Sequence, residues 1–74
     1  MEVPNNIHEL VHGSSDLSNE ERFVLLRYYG SDGRLIYGVN DIAKMSVRTA
    51  DISLLSRHQV RRRKISGLKK LGLL

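Results

Sequence analysis

Twice along this chain a serine stands three residues ahead of a side chain that can reach back to it: Ser18 with Glu21, and Ser56 with Gln59. In such a capping box the serine oxygen accepts from the amide three residues on, and the carboxylate or amide oxygen accepts from the serine amide. Each pair marks a helix N-terminus. A chain of 74 residues must therefore be arranged around two helices that open just after Ser18 and Ser56.

The first of these reads as Asn19 to Tyr29. Leu17 forms a hydrophobic staple, Phe23 and Leu26 lead a wide apolar face with Val24, Leu25, Tyr28 and Tyr29 on adjoining rows, and Gly30 stops it. Gly30-Ser31-Asp32-Gly33 is a turn, and Arg34-Leu35-Ile36-Tyr37 is a brief extended stretch before Gly38. A further helix starts near Asn40 as N-cap, with Ile42, Ala43 and Met45 inward. Residues 46–54 leave two readings open. Either Ile42, Met45, Thr49 and Ile52 continue one helical face, or Thr49 restarts the chain as a separate short helix. Residues 1–16 hold Pro4, Asn5-Asn6 and Gly13-Ser14-Ser15, so they read as a flexible arm with at most a turn of helix around Ile7 to Val11.

The last helix runs from Ser56 to about Leu71, with Gly72 closing it. Val60, Ile65, Leu68 and Leu71 share one stripe, with the stems of Arg61 and Lys64 at its edges. Gln59, Arg62, Arg63, Ser66, Lys69 and Lys70 lie on the other side. Charge is segregated along the chain: residues 1–56 carry eight acids and five bases, a net of −3, whereas residues 57–74 carry seven bases and no acid. A polyanion would bind this last quarter. Set in a major groove, its first turns would offer Arg57, His58, Gln59, Arg62 and Arg63 to base edges and phosphates, glutamine suiting adenine and arginine guanine.

Other chemistries fare worse. His8-Glu9-Leu10-Val11-His12 matches the H-E-x-x-H pattern of zinc peptidases. A catalytic zinc needs a third protein ligand, yet Gly13 breaks the helix just after His12 and the remaining histidine, His58, lies among arginines that repel a dication. The match is read as chance: no catalytic residue, no metal, no cofactor, and no small-molecule substrate. Tyr28, Tyr29 and Tyr37 read as core residues with wetted hydroxyls rather than as base-stacking groups. The absence of cysteine excludes disulfides and thiolate zinc sites. No apolar run approaches the roughly 18 residues of a membrane span, and the N-terminus lacks the basic and apolar regions of a signal peptide, so a cytoplasmic location is expected.

With "VNDIAKM" as the helix before a turn and "LSRHQVRRRKISGLKKLGLL" as a recognition helix, residues 17–74 resemble winged helix-turn-helix transcription regulators of the MarR, ArsR and Lrp kind. "RLIYG" falls where such proteins have a short strand before the second helix. Two departures stand out: the connection between Ile42-Ala43 and Ser56 is longer than usual, and the sequence stops at Leu74, where a wing hairpin would begin. A second resemblance, to four-helix LuxR-type domains, rests on "DLSNEERFVLLRYYG", "DIA" and "KKLGL"; it would move the recognition helix to "SVRTADI".

The resemblance implies a mostly α, three- to four-helix domain of winged-helix type with a short strand and a missing or truncated wing. It implies sequence-specific binding of double-stranded DNA as a transcription regulator, and because one such helix gives limited affinity, a homodimer reading two half-sites is expected. The contacts expected are Arg57, His58, Gln59, Arg62 and Arg63, with Lys69 and Lys70 on flanking phosphates. The competing class is a protein-interaction module whose basic helix docks on an acidic partner.

Overall fold

The computed structural model describes residues 3–46 and 54–74. Four helices account for most of them: α1 (Ile7–Gly13), α2 (Asn19–Tyr28), α3 (Val39–Ser46) and α4 (Arg57–Lys70). Helix α2 is the hub, packed against α1, α3 and α4, while α3 also lies on α4. A small, mostly helical domain is the result.

Both capping boxes form. Ser18 Oγ accepts from Glu21 N at 3.1 Å and Glu21 Oε1 from Ser18 N at 2.8 Å. Ser56 Oγ accepts from Gln59 N at 3.2 Å and Gln59 Oε1 from Ser56 N at 2.8 Å. These bonds satisfy amides that a helix N-terminus otherwise leaves free. At the other end of α4, Gly72 takes a φ of +75°, a left-handed conformation that a side chain would strain.

The core has two lobes on either side of α2. Ile7, Val11, Leu17, Leu25, Tyr29 and Leu68 join α1, α2 and α4; Phe23, Val24, Ile42, Leu55 and Val60 join α2, α3 and α4. The first lobe overturns the reading of residues 1–16 as a flexible arm. Ile7 and Val11 are fully buried, one turn apart on α1, and each such burial stabilises by about 1.5–3 kcal/mol. The polar, turn-rich composition around them hid a helix too short to show a full apolar period.

Three further expectations are corrected. Asn40 is not an N-cap, because α3 already includes Val39; Gly38 C=O accepts from Ile42 N at 3.1 Å, and Asp41 Oδ2 accepts from Gly38 N at 3.4 Å. The stretch after Gly33 makes one antiparallel bridge, Tyr29 with Leu35, and no strand is present among the described residues. Tyr37 is exposed rather than core, unlike the buried Tyr29. Thr49, Ile52 and most of "SVRTADI" lie outside the described residues. The ends of that connection are fixed nonetheless: the buried Ser46 hydroxyl donates to Ala43 O at 2.6 Å and accepts from Leu55 N at 2.9 Å.

Candidate nucleic-acid interface

Helix α4 is held against α2 by more than apolar contact. Gly67 faces Leu25 so closely that a Cβ on it would sit 2.7 Å from Leu25 Cδ1. Beside this approach lies Glu21, 3% exposed, whose carboxylate gathers three donors: Ser18 N, Lys70 Nζ at 2.8 Å, and the Ser66 hydroxyl. Burial alone would raise its pKa. The Lys70 ammonium, the Ser18 amide and the Ser66 hydroxyl outweigh that and hold it at about 2, below its ordinary 4.5. The side of α4 that bears Ser66, Gly67 and Lys70 is thereby turned toward α2.

That rotation sorts the basic residues. Lys70 also donates to Asp16 O at 3.2 Å, so it serves the fold instead of standing free for a phosphate. Arg63 is half-buried, with Nη2 3.7 Å from Glu20 Oε1 and a buried Nε that has no hydrogen-bond partner. Lys64 sits 4.4 Å over the Tyr28 ring and donates to its hydroxyl at 3.3 Å. Arg57, His58, Arg62 and Lys69 are exposed, and the side chain of none makes an ion pair or hydrogen bond with another described residue.

Arg61, expected at the edge of the buried stripe, is exposed and equally free, while Ile65 reaches 37% exposure. The sequence signal for Arg61 was its direct continuity with Arg62; its place near Val60 and Leu68 on the helical projection pointed the other way. Gln59 is exposed, but its Oε1 already serves the cap. The bidentate pairing of glutamine with adenine uses both amide atoms, so Gln59 is less suited to base reading than its position implies.

The basic side chains of α4 left exposed and unpaired are thus Arg57, Arg61, Arg62 and Lys69, with the exposed imidazole of His58 beside them and no acid along the helix. Such a set concentrates positive potential that local pairing does not neutralise. The apolar side of the same helix is buried through Val60 and Leu68.

The H-E-x-x-H segment is used differently. His8 Nε2 donates to Tyr29 O at 2.6 Å, tying α1 to the C-terminal end of α2. His12 meets the His8 ring edge-on at 6.5 Å, and among the described residues no cluster of three metal-binding side chains occurs. Nor is any described helix long and apolar enough to cross a membrane. No known protein family, curated protein or solved structure matches the chain.

Proposed function

We propose that this chain is a helix-turn-helix domain of winged-helix type that binds double-stranded DNA as a transcription regulator, with α4 in the major groove. The observation that carries the reading is the outer face of α4, where five cationic or titratable side chains stand free while the acids of α2 are spent on Arg63 and Lys70. Arg57, His58 and Arg62, in the first turns, are the base and phosphate contacts; Arg61 and Lys69 are phosphate contacts. Helix α3 precedes α4 and supports it through Ile42 and Val60.

Fluorescence anisotropy of a labelled mixed-sequence duplex tests this. Affinity should fall linearly with salt on logarithmic axes, and each phosphate contact removed should lower the slope by about 0.9. Arg61→Ala with Arg62→Ala should reduce affinity and slope with the fold intact. Arg63→Ala should change stability more than DNA affinity. Absence of binding at low salt overturns the reading and directs attention to an acidic protein partner.

A further inference from the structure

The least explained surface is Leu35-Ile36-Tyr37, three consecutive large apolar residues at 68%, 56% and 44% exposure. Their inner backbone edge is occupied: Gly30 N donates to Arg34 O at 2.6 Å and Ile36 N to Tyr28 O at 3.0 Å. By the alternation of an extended chain, the Leu35 N–H and C=O and the Tyr37 N–H turn to the opposite edge. None of those groups is hydrogen-bonded to a described residue. An open apolar edge of this kind is a template for another strand.

Directly beside it is an open pocket of about 290 Å³, lined by Tyr28, Leu35, Ile65, Leu68 and Leu74 among others. The Leu35 side chain therefore lies on the pocket's face of the edge. We propose that two copies of this chain pair antiparallel through this edge, with Tyr37 of each copy seated over the pocket of the other.

The edge is complementary to itself in one register. With Leu35 opposite the partner's Tyr37, each Leu35 N–H and C=O meets the Tyr37 C=O and N–H of the other copy, and the two-fold axis repeats the pair. Residues directly opposite share a face, so the partner's Tyr37 falls where Leu35 points, at the pocket mouth. The same register sets Arg34 opposite the partner's Gly38, whose amide is capped by the Asp41 carboxylate at 3.4 Å. At each end Arg34, whose Nε lies 3.4 Å from Asp32 Oδ2 of its own chain, thus also approaches the partner's acid. The pairing uses none of the free cations of α4, and it leaves two such helices related by a two-fold axis.

Sedimentation equilibrium of the intact chain without DNA tests the proposal, so its outcome is separate from that of the DNA reading. From about 5 to about 500 µM a reversible monomer–dimer equilibrium is expected. Leu35→Lys and Tyr37→Glu, each at an exposed position, should separately weaken it at least ten-fold with the circular dichroism spectrum unchanged. Combined in one chain, they place a lysine opposite a glutamate twice across the axis and should regain about ten-fold over either single variant. A chain that stays monomeric throughout overturns the proposal. So does a dimer that survives both single variants, or a double variant no better than the singles.

Discussion

Glu21 is the place where a single atom exchange tests the packing of α4. Its carboxylate is 3% exposed and takes hydrogen bonds from Ser18 N, Ser66 Oγ and Lys70 Nζ. A pKa of about 2 in the fold against an ordinary 4.5 corresponds to about 3 kcal/mol of stability, at about 1.36 kcal/mol per unit. The sign follows from the direction. A depressed folded pKa contributes fully above the unfolded value and is lost as the pH falls through the folded one, so the loss runs from about pH 5.5 to about pH 2. Less than half of it remains at pH 3, which makes the drop between pH 7 and pH 3 about 2 kcal/mol. Glu21→Gln keeps the volume and removes the charge, leaving the Lys70 ammonium without its anion. Urea unfolding at a series of pH values should show the variant about 2–3 kcal/mol less stable at pH 7, with the gap to the parent narrowing toward pH 2. A gap that stays constant with pH, or a cost below about 0.5 kcal/mol at pH 7, would refute the assignment of Glu21 as the charged centre of the α2–α4 contact.

Gly67→Ala gains helix propensity of about 1 kcal/mol yet forces a Cβ to 2.7 Å from Cδ1 of the fully buried Leu25, at an overpacking cost of about 1–3 kcal/mol, so a net destabilisation of up to about 2 kcal/mol is expected in the same urea assay. Ser46→Ala leaves the Leu55 amide without its acceptor; a cost of about 1–3 kcal/mol and faster hydrogen exchange at that amide should follow, and unchanged exchange would contradict the bond. Excess zinc should leave the midpoint of thermal unfolding unchanged, because His8 Nε2 is already engaged by Tyr29 O; a concentration-dependent rise would show that the histidine pair binds metal in the folded state.

Local chemistry was legible where it was self-contained. The serine boxes at Ser18 and Ser56 and the turn at Gly72 each depend on residues within a few positions of one another, and each appears as read, whereas α2 ends at Tyr28, before Gly30, because Tyr29 turns extended to bridge Leu35. Helix α1 was legible only as a turn around Ile7 to Val11 in a flexible arm, and its docking was not, because its stability comes from Ile7 and Val11 meeting Leu25, Tyr29 and Leu68, contacts no local pattern announces. The start of α3 was misplaced by two positions: Asn40 has the preferred side chain, but the Asp41 carboxylate reaches back to accept from Gly38 N and the helix already includes Val39. For the candidate site, the segregation of charge singled out α4 correctly as the basic helix, whereas the pairing of its cations depended on acids far away in sequence.

The rotation of α4 about its axis decides which cations face outward, and it rests on two residues that a hydrophobic projection undervalues. Ranking side chains by apolarity centres the stripe between Val60 and Ile65, and so buries the stem of Arg61. Gly67 contributes nothing to such a ranking, yet its missing side chain is what lets Leu25 approach, and Glu21 is scored as surface although it is among the most buried groups of α2. Together they draw Ser66, Gly67 and Lys70 inward. Ile65 and Arg61 turn outward as a consequence. The acid on α2 thereby withdraws Lys70 from the outer face, and the neighbouring Glu20 does the same to Arg63. What remains unpaired, Arg57, Arg61, Arg62 and Lys69, is a smaller set of cations than the sequence run implies, and its direction is set by the packing of α2 rather than by the basic residues themselves.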